Sequence, residues 1–360
     1  MGATPTATGA YTEANTSPET SPSLERAREL HRSCLVADLH IDILLTHDLL
    51  GYDIAKRHRN MVPRAPLVWQ ADLPRFRDAG IDIQGLGLVC SPLSSPRRRA
   101  GKIRRQLEYL HRVCDAHPGE IHVIRDRTSM REGIDAGRIG AFCGIEGAHA
   151  LGGRIELLGM FHELGVRYMT FAHFSGNEAC ECAMGLGSRS GRDRGLTDFG
   201  RALLAECERM GIVVDLAHVN KRGFMEACAR AEKPVIVSHT GVCGVKKTWR
   251  NIDDEQIEAV AKNGGVIGVI FGPQFTGRTW FDDLWCVARH ILHIVRVAGA
   301  DHAAYGSDID GWLWTMPAGM RGIEDLPRLT ALLLDAGLSE ADVKKIIGGN
   351  VARVLERTLA

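Results

Sequence analysis

Asp38, His40 and Asp42 stand at alternate positions in the stretch Val36-Ala-Asp-Leu-His-Ile-Asp-Ile-Leu-Leu45. Strand side chains repeat every two residues, so two carboxylates and an imidazole would share one face. Like charges side by side are costly unless a cation sits between them, and the pattern therefore points to a metal site. Other segments offer matching donors: Glu146 in Gly144-Ile-Glu-Gly-Ala-His149, where His149 is left out of the set, His173 in Thr170-Phe-Ala-His173, and His218 in Asp215-Leu-Ala-His218. His239 in Ser238-His-Thr240 and the aspartates of Gly306-Ser-Asp-Ile-Asp-Gly311 complete the set. Imidazoles and carboxylates without an evident thiolate suit zinc or another borderline divalent ion. There are donors enough for two ions. The expected partition puts His40 and Asp42 on one, His218 and His239 on the other, and Glu146 across both. A bridging hydroxide is expected between them, because paired cations lower the pKa of bound water.

Residues so far apart in the chain need a scaffold that gathers them. Apolar runs predict strands at Leu35–Ile41, Ile83–Val89, Ala141–Ile145, Val166–Phe171, Val213–Ala217, Val235–Ser238, Val266–Phe271 and Ala304–Gly306. Most are followed by helical pattern, which fits an α/β fold of the (β/α)8 TIM-barrel type. In such a barrel every donor named above falls at the C-terminal end of a strand, on one rim. An open doubly wound sheet competes, but no glycine-rich dinucleotide turn follows the first strand. Helix starts are legible at Ser23, at Asp253-Asp-Glu-Gln256 and at Ser339-Glu-Ala-Asp342, and Gly264-Gly265 marks a helix end. Extended loops are expected after strand one (Thr46 to Asp72) and strand four (Phe174 to Gly195), as walls of a substrate pocket. Residues 1–22, rich in Thr, Ser, Pro, Ala and Gly, read as a disordered tail, leaving 23–360 as a single barrel domain.

Composition narrows the function. Lysine plus arginine balances aspartate plus glutamate at 44 each, so no electrostatic ground exists for a nucleic-acid or anionic-membrane partner. The basic run from Ser95 to Arg105 reads as a solvated helix start. Ten cysteines show no paired finger-like spacing, which fits buried, reduced thiols. No secretory pattern or bilayer-length apolar run is present, and the expectation is a soluble cytoplasmic protein.

Taken together the segments resemble the renal, or membrane, dipeptidase family, zinc peptidases of the amidohydrolase superfamily. The resemblance runs through most of the chain. It rests on Asp38-x-His40-x-Asp42, Gly144-Ile-Glu-Gly147, Gly165-Val-Arg-Tyr-Met-Thr-Phe-Ala-His173, Gly195-Leu-Thr-Asp-Phe-Gly200 and Asp215-Leu-Ala-His218. It continues with Pro234-Val-Ile-Val-Ser-His239, Arg250-Asn-Ile-x-Asp254, Gly306-Ser-Asp-Ile-Asp-Gly311 and Gly348-Gly-Asn350. The resemblance implies a (β/α)8 fold, two zinc ions per chain and hydrolysis of dipeptides with L- or D-residues at the C-terminal position. It matches His40, Asp42, Glu146, His218 and His239 to metal ligands and His173 to the contact with the substrate carbonyl. It matches Arg250 to the grip on the C-terminal carboxylate and Asp308 to the proton-handling aspartate. Many members dimerise, which makes a homodimer an expectation. The chain departs from the family at Ile41, Ile43 and Leu44, where Asn and Leu-Pro are usual, and in the loop from Phe174. The alternative reading is a related metal-dependent amidohydrolase acting on a cyclic amide, lactam or ester.

Overall fold

The computed structural model describes residues 21–59, 69–184, 194–311 and 313–360. Residues 1–20 of the expected tail, 60–68 of the first expected loop and 185–193 of the second lie outside the described residues. The first helix starts a little before the expected Ser23: the Ser21 hydroxyl accepts from Leu24 N–H and caps the helix Pro22–Ser33.

Among the described residues nine strands alternate with helices: β1 (Ala37–Ile41), β2 (Ile83–Val89), β3 (Ile121–Val123), β4 (Ile139–Glu146), β5 (Val166–Thr170), β6 (Val213–Asp215), β7 (Ile236–Thr240), β8 (Val266–Val269) and β9 (Ala303–Tyr305). All pairings are parallel. β1 pairs with both β2 and β9, and β2 pairs with β4, which closes β1, β2 and β4 through β9 into an eight-stranded barrel. This is the predicted (β/α)8 architecture. β3 is extra. It pairs only with the start of β4, Ile121 opposite Ile139, and at three residues it is too short to show a period.

One apolar cluster draws from every barrel strand: Ala37 and Leu39, Ile83, Phe142, Tyr168, Val213, Ile236, Val266 and Ala304. Val351, Val354 and Leu355, spaced three and four apart on the helix Asn350–Thr358, join it. That helix therefore packs against the end where the strands begin, and the opposite rim is left for chemistry. The outer helices bury periodic stripes in the same way, as Val287, Ile291 and Ile294 do on Trp285–Ala298. The expected capping box is present: Asp253 accepts from Gln256 N–H and the Gln256 side chain reaches back, while Gly264 ends that helix at φ 80°. Ser339 caps its helix by accepting from Asp342 N–H. The basic run lies within the helix Pro96–Ala116.

Several strands stop before their apolar runs do. The Asp215 carboxylate accepts from Ala217 N–H, which turns the chain out of β6 and leaves His218 at φ 64°. The register of β1 against β2 also shifts: Asp38 faces Gln84, but Ile41 faces Leu86. β7 shows the same shift against β8 between Val237 and Thr240. A bulge re-aims side chains, and these two contain His40 and His239.

Candidate metal centre

The strand ends bring the separated donors together. His40, Glu146 and His239 form one group whose ligand atoms lie within 4.8 Å of one another; Glu146, His173 and His218 form a second, and His40, Asp42 and Asp308 a third. Glu146 at the end of β4 is the common member of the first two. Its Oε1 lies 3.1 Å from His218 Nε2, 3.4 Å from His239 Nε2 and 3.8 Å from His40 Nε2. Its Oε2 lies 3.3 Å from His173 Nε2. His40 Nε2 is 3.4 Å from Asp42 Oδ1. Asp42 begins the helix Ile43–Leu50 without capping it, so its carboxylate is left for the site.

The far nitrogens of two imidazoles are engaged elsewhere. His40 Nδ1 contacts the Tyr168 hydroxyl at 3.0 Å, and His239 Nδ1 contacts the Ser238 hydroxyl at 2.9 Å. Fixing Nδ1 in this way turns the Nε2 lone pair inward, as metal-ligating histidines require. Tyr168 reaches His40 across β4 because Gly144 stands between: a Cβ there would meet the Tyr168 ring at 2.2 Å. Gly87 likewise leaves room for Asp42 and His40, since its Cβ would fall 2.3 Å from Asp42 Oδ1.

Charge balance tests whether cations fit. His40 Nε2, Asp42 Oδ1 and Glu146 Oε2 are buried without a hydrogen-bond partner. Burial, with the Asp42 charge beside it, raises Glu146 well above the usual carboxylate range, and the same causes raise Asp308. Burial lowers His173, His218 and His239 well below the usual imidazole value, helped by neighbouring cationic groups. Burial also opposes charge on His40, but Glu146 and Asp42 outweigh it and lift His40 to about 10. Divalent cations would offset the crowding of the raised carboxylates, and the lowered imidazoles of His173, His218 and His239 already favour the neutral form that ligation requires. The donor set fits such a pair of ions.

Asp308 follows β9 at φ 58°, with its N–H donating to His40 O at 2.9 Å. Arg250 is 3% exposed, and Nη2 donates to His239 O and lies 3.3 Å from His218 Nε2. Among the described residues it forms no ion pair, so it is not the surface salt bridge that a position before the Asp253 helix could suggest. The Arg250 carbonyl accepts from Thr240 Oγ1 at 3.1 Å, and Ile252 N–H donates to Gly241 O, folding this segment back onto the end of β7.

Asp38 departs from the expected shared face. It joins none of the donor groups and accepts instead from Ser307 N–H and hydroxyl and from Gln84 Nε2. Asp215 touches no histidine directly; Ser238 stands between it and His239. His149 is a support, with Nε2 at 2.9 Å from Cys90 O. Asp310 caps no helix: it accepts from Gln70 N–H, and burial pushes it up to about 7.

A cavity of about 700 Å³ opens above the donors and is lined by Asp42, Glu146, His173, His218, His239, Arg250 and Asp308. Phe174 and Met184 from the segment after β5 line it as expected, whereas Leu45 and Leu49 reach it from the helix Ile43–Leu50, which takes the place of the start of the expected Thr46–Asp72 loop. Trp249, Phe275, Trp280, Leu313 and Trp314 line it too. Tryptophans in loops carry no period, and the sequence offered no signal for them.

A closed parallel barrel with imidazole and carboxylate donors converging at its strand ends defines a metal-dependent hydrolase class. The chain belongs to the membrane dipeptidase family (peptidase family M19), whose model matches residues 24–360. It is 32% identical over 255 residues to dipeptidase tcpJ of Claviceps purpurea, an alignment covering 70% of this chain and 58% of that protein. The chain thus spans less than two thirds of that relative. It is 30% identical over 358 residues to dipeptidase aclJ of Aspergillus oryzae, covering 94% of this chain and 83% of that one. Among solved structures, a metallo peptidase from Rhodobacter sphaeroides, liganded with a phosphinate mimic of the dipeptide L-Ala-D-Ala, superposes with a TM-score of 0.79 at 25% identity. That match covers 90% of this chain and 99% of the other. No helix among the described residues is long and apolar enough to cross a membrane.

Proposed function

We propose that the chain is a binuclear zinc dipeptidase. His40 and Asp42 hold one ion, His218 and His239 the other, and Glu146 joins them. The observation that carries this reading is Glu146, whose carboxylate faces four imidazole Nε2 atoms within 3.8 Å. When bound, the two ions supply Lewis acidity toward the scissile carbonyl and acidify the attacking water.

The remaining steps belong to the chain. Arg250 receives the C-terminal carboxylate, because a planar guanidinium can donate two parallel hydrogen bonds. Its position near the bottom of the cavity selects short substrates, since a longer peptide puts no carboxylate there. His173 Nε2 donates to the carbonyl oxygen as negative charge develops on it. Asp308 accepts the proton of the attacking water and returns it to the leaving nitrogen, so that the C-terminal residue departs as a free amine. The phosphinate dipeptide mimic held by the Rhodobacter sphaeroides relative supports a dipeptide as the substrate. The ten free cysteines support a reducing, cytoplasmic setting.

Metal analysis followed by hydrolysis of L,L and L,D dipeptides tests the reading. Two zinc ions per chain and dipeptide turnover are expected. Arg250→Ala lowers kcat/KM on the order of 100-fold, the scale of one lost buried charge contact. Unchanged kinetics would remove Arg250 from its role, and a preference for lactams or lactones over dipeptides would install the cyclic-amide alternative.

A further inference from the structure

The floor of the cavity is polar, but much of its outer wall is indole. Trp280 and Trp314 are 51% and 59% exposed, and both line the cavity that descends to Glu146. Their ring centroids are 5.8 Å apart with the planes inclined by 32°. They come from different loops, and those loops are tied together. Thr315 Oγ1 donates to Trp280 O at 2.5 Å, and Ala318 N–H donates to Asp282 O at 2.9 Å. A bridge joins Asp283 to Ala318. Leu313 and Phe275 continue the same wall inward, and Trp249, 41% exposed, packs edge-on against Phe275.

Large apolar side chains left in water at the mouth of a cavity mark a surface that a ligand covers. A volume of about 700 Å³ is also roomy for a dipeptide of small residues. Orientation follows from depth. Arg250 is 3% exposed and Glu146 1%, so the carboxylate and the scissile bond both lie deep, and the residue nearest the mouth is the N-terminal one.

We propose that Trp280 and Trp314 form a subsite for a bulky aromatic or apolar side chain on the N-terminal residue of the dipeptide. This rests on the dipeptidase reading above and adds the class of substrate. The rings offer flat, apolar faces at little entropic cost, because an indole has few rotatable bonds. Contact with them persists from bound substrate to transition state, so the preference is carried in KM rather than in kcat.

The test compares Trp-Ala with Ala-Ala as substrates of the zinc-loaded full chain. The ratio of their kcat/KM values does not depend on how much of a preparation is folded. The protein favours Trp-Ala about tenfold or more, and Trp280→Ala or Trp314→Ala each lowers that ratio by about three- to tenfold, mainly through KM. Trp314→Phe retains most of it. A ratio near one, or a ratio untouched by both alanine variants while Ala-Ala is still cleaved, overturns the subsite and leaves the dipeptidase reading standing. An untouched ratio accompanied by loss of a dimer in sedimentation assigns the indoles to a second copy of the chain, which also overturns it. Failure to cleave any dipeptide with zinc bound overturns the underlying reading and the subsite with it.

Discussion

Two sets of buried carboxylates, Asp38 with Asp215 and Asp42 with Glu146, are treated in opposite ways. Asp38 and Asp215, both fully buried, are surrounded by donors. Asp215 accepts from Ser238 N–H and hydroxyl, from Ala217 N–H and from Thr170 Oγ1. Asp38 accepts from Ser307 N–H and hydroxyl and from Gln84. Asp42 and Glu146 have no such company: Asp42 Oδ1 and Glu146 Oε2 are without hydrogen-bond partners, and other acids or imidazoles are what they face. A protein that supplies donors to one pair of carboxylates and withholds them from the next has left the second pair for cations. The comparison also separates structural from chemical acids where their sequence context looks the same.

The largest effect expected from this contrast is on stability. Asp215→Ala strands several buried donors at once and should destabilise the chain by roughly 3 kcal/mol or more, read by urea unfolding. Glu146→Gln in zinc-free protein should stay within about 1 kcal/mol of the parent or gain stability, since it removes a buried charge demand. Metal analysis of the same variant should show zinc binding lost. A Glu146→Gln variant as damaged as Asp215→Ala would erase the distinction.

A buried histidine outside the centre sharpens it from the neutral side. His31 has Nδ1 2.7 Å from Ala79 O and Nε2 2.7 Å from the Thr330 hydroxyl, and burial lowers it to about 4 from 6.5. The neutral ring is therefore the folded form, and its contribution is fully present above pH 6.5. It is lost as pH falls toward 4, because the unfolded chain takes up the proton first. The loss should approach roughly 3 kcal/mol, and His31→Gln should flatten that part of the pH–stability curve.

A smaller effect is expected at Tyr168. Tyr168→Phe removes the partner of His40 Nδ1 and should weaken zinc affinity about tenfold in a competition assay, with little change in the Tm of zinc-free protein. Equal affinity, or a Tm loss without an affinity loss, would make Tyr168 a packing residue alone.

Much of the fold was legible because most barrel strands fall in short apolar runs and several helices start at readable caps. The candidate donors were legible because each lies at or just after the end of such a run. Asp38 was not, since alternation places it with His40 and Asp42, whereas the β1 bulge breaks the alternation. β3 was too short to register, and Arg250 was singled out by the family resemblance rather than by any local pattern, since its burial comes from the segment folding back onto β7.

By itself the sequence determined which side chains could ligate, and in what order along a repeating β/α pattern, because residue type and period are local properties. Tertiary structure alone decided which acids meet donors and which meet one another. It also decided that Tyr168 passes Gly144 to reach His40, and that Trp280 and Trp314 stand at one mouth. Those outcomes depend on bulges, close backbone approach and loop-to-loop ties between residues distant in the chain, which no local pattern encodes.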